Sequence, residues 1–141
     1  MREKRSEFAR RGVALACVVQ GTAAEAARFC RRHGVESLCI PDPEKQSYRA
    51  LGLGRASLRE LVFPSDDLKR RRAEAKQAGC SNKLGGASQK HSDIFQLPGA
   101  ALVAAGGTIL WLHRGKHTGD LPLPDELLEI VGKFVPSAPA A

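Results

Sequence analysis

Four cysteines have the clearest capacity for chemistry in this sequence: Cys17, Cys30, Cys39 and Cys80. A cysteine thiolate can act as a nucleophile, bind a soft metal ion or form a disulfide. The four residues include neither a C-x-x-C pair nor the cysteine and histidine spacing of a zinc site. We therefore expect reduced thiols, no bound metal ion and no cofactor.

Cys80 differs from the other cysteines in its surroundings. It lies in AGCSNK, a polar loop near Lys76 and Lys83, and nearby positive charge favours the thiolate form. Cys80 is therefore the candidate reactive thiol, and the alternative is an ordinary exposed loop cysteine. The remaining cysteines fall in strand-like or helix-like runs, where a cysteine serves as a small apolar side chain.

The histidines and the tryptophan give weaker signals. His113 and His117 occur in HRGKH without a carboxylate or cysteine cluster beside them, so we expect polar loop histidines rather than metal ligands. Trp111 lies in an apolar strand-like run and is expected to pack in the core.

Length and charge restrict the class of protein. The chain has 141 residues, 22 Lys plus Arg against 15 Asp plus Glu, and a net charge of +7, which suits one soluble domain. No segment approaches the roughly 20 apolar residues that span a membrane. The start, MREKRSEFARRG, has no apolar signal core. We therefore expect a cytoplasmic protein without membrane contact.

The first half of the chain predicts alternating strands and helices. VALACVVQ is a continuous apolar run, which is typical of a strand covered on both faces in a parallel sheet. Thr22 and Glu25 form a predicted capping box for the helix TAAEAARFCRRH. SLCIP predicts the next strand, and Asp42 is positioned to cap a helix that begins near Pro43. This order indicates an α/β fold.

The second half contains an insertion, a hairpin and a closing helix. ASLRELVF is expected to pack as a short helix, and a basic helix and a polar loop follow at about 65–95. Pro98 precedes the predicted strand AALVAA, since proline belongs at a strand start. Gly106-Gly107 predicts a two-residue turn before the return strand TILWLHRG. LPDELLEIVGKFV is expected to form the last, amphipathic helix.

Several motifs, in a consistent order, resemble those of a known family. These are the residues Asp42, Pro43, Tyr48, Leu51 and Gly52, followed by QLPG, GGT and HRG. The chain resembles the peroxiredoxin-like branch of the alkyl hydroperoxide reductase/thiol-specific antioxidant group over roughly residues 1–134. The resemblance implies a redox, antioxidant function and a thioredoxin-like α/β fold, with a mixed sheet flanked by helices. The length of the chain predicts one domain, at 1–135, and the final residues PSAPAA predict a disordered tail at 136–141.

The resemblance also implies where the active site should lie. Pro98 matches the family's cis-proline, which faces the catalytic cysteine, so we expect a cis Leu97–Pro98 bond. That cysteine sits near the N-terminus of a helix, and MREKRSEFARR matches only the end of this helix. No cysteine here matches it, so we expect a redox-family protein without peroxidase activity, and whether it is an enzyme stays open. The family implies a thiol reductant protein as partner.

The same comparison implies a missing strand at the middle of the sheet. The two halves could pair directly, another chain could donate a strand in a homo-oligomer, or the natural protein could be longer and the fold N-terminally incomplete. An alternative function is a non-catalytic binding module, in which the basic helix LKRRRAEAK contacts an acidic partner or nucleic acid.

Overall fold

Six helices and four short strands make up the part of the chain that the computed structural model describes, residues 4–33, 39–77 and 93–135. In chain order they are α1 (Arg5–Arg10), β1 (Cys17–Val19), α2 (Ala23–His33), β2 (Cys39–Pro41), α3 (Gln46–Ala50), α4 (Leu58–Val62), α5 (Asp66–Gln77), β3 (Gly99–Val103), β4 (Ile109–Arg114) and α6 (Pro124–Phe134). Cys80 and the predicted tail at 136–141 lie outside the described residues.

The strands form two separate two-stranded sheets. β1 and β2 are parallel, with Cys17 opposite Cys39, and β3 and β4 are antiparallel. No ladder joins the two sheets within the described ranges. Direct pairing of the two halves across the central position is therefore not the arrangement of this structure.

The parallel sheet is covered less than the sequence predicted. The continuous apolar run around β1 suggested burial on both faces, but Val18 and its register neighbour Ile40 are 37% and 51% exposed. The expectation was wrong because an apolar run does not specify how many elements cover it. Here α2 packs along β2, on the face that carries Cys39, and leaves the opposite face accessible.

The start of α2 confirms the predicted capping box. The hydroxyl of Thr22 accepts a hydrogen bond from the backbone N–H of Glu25 at 3.3 Å, and the Glu25 carboxylate accepts one from the Thr22 N–H at 2.8 Å. Gly21, with φ +97°, lets the chain turn into the helix; a Cβ at this position would lie 2.7 Å from the Glu25 carboxylate. The turn therefore favours glycine for two reasons: the positive φ, and the lack of space for a side chain.

The next helix begins later than predicted. Pro43 lies in a turn, and α3 starts at Gln46. The Asp42 carboxylate still accepts hydrogen bonds from the first N–H groups of the helix, those of Gln46 and Ser47, both at 2.9 Å. The predicted role of the Asp42 side chain is therefore confirmed, but the residue at the N-cap position is Lys45 and the first helical residue is Gln46.

The predicted helix at 56–63 forms but does not pack. Ser57 and Glu60 complete a capping box for α4, yet Leu58, Val62 and Phe63 are exposed. Helical spacing of apolar residues defines a common face, but it does not provide a partner for that face. The expectation that this helix packs was therefore wrong.

The hairpin between β3 and β4 has a longer turn than predicted. The Ala104 N–H bonds to the Thr108 carbonyl at 2.8 Å, and the Gly107 N–H bonds to the Ala104 carbonyl at 2.9 Å. Gly107 has φ +88°, whereas Gly106 does not adopt a positive φ. A two-residue type I′ turn needs positive φ at both central residues, so the chain instead forms a three-residue loop that ends in a left-handed glycine.

The main apolar core lies where α1 and α6 cover the hairpin. Phe8, Leu102, Leu128 and Val131 are buried together, and Trp111 packs against them. Leu102 and Trp111 are register partners in the hairpin, so they project from the same face. The predictions of an amphipathic closing helix and of a packed Trp111 are therefore confirmed.

Replacing a buried and an exposed phenylalanine should have very different effects on the free energy of unfolding. Phe8 is 1% exposed and Phe63 is 73% exposed. We expect Phe8→Ala to lower the free energy of unfolding by about 3–5 kcal/mol through cavity formation, and Phe63→Ala to change it by less than about 0.5 kcal/mol. Urea denaturation of both variants measures this, and equal losses would contradict the described core.

Candidate functional site

Three cysteines meet at the parallel sheet. Cys17 on β1 and Cys39 on β2 are register partners, and register partners on neighbouring strands project from the same face. Cys30, on α2, is joined to Cys39 by a disulfide, with 6.3 Å between the two Cα atoms. This separation is within the range of about 4.4–6.8 Å that disulfides require. Cys39 therefore has one cysteine bonded to it and a second beside it.

The disulfide corrects the expectation of four reduced thiols. Cys30 and Cys39 are nine positions apart, so they match no C-x-x-C pattern. The pair meets because the chain reverses after α2 and returns as β2 beneath the helix. Sequence spacing cannot show this proximity, although a cysteine in a predicted helix followed by one in the next predicted strand was a usable signal.

The free thiol of Cys17 is half-buried, and burial raises its pKa. The Tyr48 hydroxyl donates a hydrogen bond to the neighbouring Val18 carbonyl at 3.2 Å. Burial is the largest cause that raises the pKa of Tyr48, and the nearby Cys17 adds to it. The surroundings of Cys17 therefore favour the protonated thiol over the thiolate, since burial disfavours charge.

Asp93 forms a second cluster, the Asp93 network, with Gln20, Lys45 and Arg55. The side-chain amide of Gln20, the residue after β1, accepts a hydrogen bond from the Asp93 N–H at 2.9 Å. Lys45 approaches the Asp93 carboxylate to 2.7 Å, and the Arg55 guanidinium contacts both carboxylate oxygens. The Lys45 hydrogen bond is the main cause that lowers the pKa of Asp93.

No sequence pattern predicted the Asp93 network, because its members lie far apart along the chain. Its placement is nevertheless informative. Gln20 follows β1, and Lys45 precedes α3 with a left-handed backbone, φ +54°. Such a backbone costs a residue with a Cβ roughly 1–2 kcal/mol, so the contacts around Lys45 must compensate for it. The network therefore holds the carboxyl end of the parallel sheet against the segment that leads into β3.

Pro98 stands directly before β3, as predicted, but its peptide bond is not cis. No cis bond occurs within the described ranges, so Leu97–Pro98 is trans, whereas the resemblance led us to expect cis. The Leu97 N–H bonds to the Gly54 carbonyl at 3.0 Å, and the Pro98 carbonyl accepts from the Gly115 N–H at 2.9 Å. These bonds hold an extended chain, and trans is intrinsically favoured by about 0.5–1 kcal/mol.

The two histidines contact different carboxylates. The His113 Nε2 lies 3.2 Å from the Asp120 carboxylate, and the His117 Nε2 lies 2.7 Å from the Asp67 carboxylate. His113 also stacks with Trp111 at the wall of an open cavity of about 380 Å³ beside α6. Within 4–33, 39–77 and 93–135, no group of three or more His, Cys, Asp or Glu side chains could hold a metal ion.

Helices flanking small sheets, with thiols gathered at one of them, are consistent with a redox protein of thioredoxin-like α/β fold. The chain belongs to the AhpC/TSA antioxidant enzyme family, whose model matches residues 1–117. No solved structure is significantly similar to it. Among the described helices, none is long and apolar enough to cross a membrane.

Replacement of Asp93 should lower the free energy of unfolding by an amount that depends on pH. Asp93→Asn removes the charge that Lys45 and Arg55 contact, so we expect a loss of about 1–3 kcal/mol in the free energy of unfolding at pH 7. The folded-state pKa of Asp93 is lowered. Its stabilisation is therefore complete above the unfolded pKa of about 4 and is lost as pH falls through the folded pKa.

Denaturation curves of Asp93→Asn and the unsubstituted chain should therefore converge in acid. Asp66→Asn is the matched control, since the Asp66 side chain is 100% exposed in its pair with Lys69, and an exposed pair contributes under about 1 kcal/mol. A stability difference at Asp93 that stays constant between neutral and acidic pH would show that its charge contributes nothing.

Proposed function

We propose that this chain is a redox-family protein that does not act as a thiol peroxidase in this form. The proposal is carried by the surroundings of the three described cysteines. A cysteine that attacks a peroxide must be available as a thiolate, which a helix N-terminus or nearby positive charge stabilises. None of Cys17, Cys30 and Cys39 lies at a helix N-terminus in the described part of the chain.

Burial or disulfide bonding makes each of these three cysteines unsuited to peroxide reduction. Cys17 lies within a strand, and burial raises its pKa. Cys30 is fully buried and bonded to Cys39, so neither sulfur is free in the disulfide state. Cys80 is the remaining candidate, because its sequence neighbours include Lys76 and Lys83; it is therefore the thiol that an activity test must isolate.

Hydrogen peroxide consumption with dithiothreitol as reductant tests the proposal. We expect the full chain to consume peroxide no faster than a variant with all four cysteines replaced by serine, because none of the three described cysteines lies where a thiolate is stabilised. Circular dichroism must first show that both proteins are folded. Cys80→Ser alone is the matched variant that keeps the other three cysteines.

Faster turnover by the full chain would overturn the proposal, and the single variant would locate the cause. Loss of the excess activity in Cys80→Ser would assign it to Cys80. Retention of the activity would assign it to the cysteines at the parallel sheet, and their burial would then be no obstacle to peroxide.

The second candidate function is binding of an acidic partner or nucleic acid through α5. The charge of this helix favours it, since five of its twelve residues are basic. Internal pairing reduces the effect: Lys69 pairs with Asp66, and Arg70 pairs with Asp67. The free positive charge of α5 is therefore smaller than its sequence indicates.

Salt dependence distinguishes this candidate. We expect the protein to bind a fluorescent duplex oligonucleotide weakly at low salt. We expect this binding to disappear at physiological salt, because salt screens non-specific contacts to phosphate. Fluorescence anisotropy measures the affinity. Binding that persists at physiological salt and is abolished by joint replacement of Arg71, Arg72 and Lys76 with glutamate would instead support a binding module.

A further inference from the structure

Cys39 has two cysteine neighbours, and only one of them can be its disulfide partner at a time. Cys30 is bonded to it from α2, and Cys17 is its register partner on β1. We propose that these three residues form a thiol–disulfide exchange site, in which Cys39 pairs with either Cys30 or Cys17 and the disulfide is reduced by a dithiol. The proposal involves no peroxide and does not rest on the proposed function.

The spacing of the strands permits the second pairing. Neighbouring strands lie about 4.7–4.9 Å apart, so register partners such as Cys17 and Cys39 fall within the Cα separation of about 4.4–6.8 Å found in disulfides. Both side chains project from one sheet face. Cys30 reaches Cys39 from α2 on that same face, so all three sulfurs share one side of the sheet.

Burial gives the three cysteines different roles. Cys30 is 0% exposed, so a reductant in solution cannot reach its sulfur directly. Cys17 and Cys39 are half-buried, so a reductant in solution can reach the cluster of three cysteines through them. The bond in this structure makes Cys30–Cys39 the resting pair. Cys17 is the exchanging thiol, and burial, which raises its pKa, disfavours its thiolate form.

The internal exchange step conserves electrons. Cys17 loses its proton and its thiolate attacks the sulfur of Cys39; the Cys17–Cys39 bond forms, the Cys30–Cys39 bond breaks, and Cys30 leaves as a thiolate that takes up a proton. Reduction then requires an external dithiol. Its two thiols supply two electrons and two protons, become a disulfide themselves, and leave Cys17 and Cys39 as thiols.

Peptide mapping can separate the two pairings, because tryptic cleavage places each cysteine on its own peptide. Cys17 falls in residues 12–28, Cys30 in 29–31 and Cys39 in 33–45. The chain should carry Cys80→Ser so that this thiol cannot enter the exchange. The protein is oxidised with diamide, its free thiols are alkylated under denaturing conditions, and the unreduced digest is examined by mass spectrometry.

The Cys80→Ser chain should give a linked pair of the Cys30 and Cys39 peptides, with Cys17 alkylated. Added Cys30→Ser should give a Cys17–Cys39 link instead, because Cys39 then has only its register partner. Added Cys39→Ser is the matched control with the same number of cysteines, and it should give no link. Alkylation of both Cys17 and Cys39 in the Cys30→Ser chain would overturn the proposal, as would a Cys17–Cys30 link in the control.

Two further measurements avoid dependence on a substitution that could impair folding. The Cys80→Ser chain held at alkaline pH should contain a minor Cys17–Cys39 link, since a larger fraction of Cys17 is then thiolate. Added Cys17→Ser should slow reduction of the Cys30–Cys39 bond by dithiothreitol, with the circular dichroism spectrum unchanged. Absence of the minor link, or reduction at the same rate without Cys17, would exclude Cys17 from the exchange.

Discussion

Asp93 connects segments that the two sheets leave separate, through its backbone to Gln20 and through its carboxylate to Lys45 and Arg55. Gln20 follows β1, Lys45 precedes α3, and Arg55 belongs to the segment paired with residue 96. The Asp93 side chain is only 17% exposed. Its charge is tolerable there because two cations and the Phe95 N–H, which donates to the carboxylate at 3.0 Å, compensate for its loss of water. The route from the parallel sheet to the hairpin depends on this compensation, whereas the core around Phe8 joins the hairpin to α1 and α6.

The chemistry of the thiols follows from how α2 is held over the parallel sheet. The capping box at Thr22 starts the helix, and the helix carries Cys30 to the buried position where it meets Cys39. Burial disfavours a thiolate and therefore disfavours direct attack on peroxide. The register of the two strands and the position of α2 bring the three sulfurs to one sheet face, and the proposed exchange between disulfide pairings rests on this proximity. Within a family of antioxidant enzymes, the role we propose for the described thiols is disulfide exchange, and the role we propose that they lack is direct attack on peroxide.

Features set by neighbouring residues were predicted well. The capping box at Thr22 and the two strands of the hairpin depend on residues within a few positions of one another, and the sequence predicted them, although it predicted too short a turn between the strands. Errors arose where an element needed a partner. The helix at 58–62 formed but stayed exposed, β1 was covered on one face only, and Leu97–Pro98 was trans where the resemblance implied cis. Local sequence patterns predict which face of an element is apolar and which residue caps a helix, but they do not predict which other element packs against that face.

The candidate site divides in the same way. The sequence alone determined that cysteines occupy a strand, a helix and the following strand, and that the chain resembles a redox family, because element type and motif order are local properties. Only the tertiary structure decided that Cys30 bonds to Cys39 with Cys17 beside them, and that Asp93 gathers Gln20, Lys45 and Arg55. These contacts join residues that no periodicity relates, since their proximity depends on how helices and strands pack together.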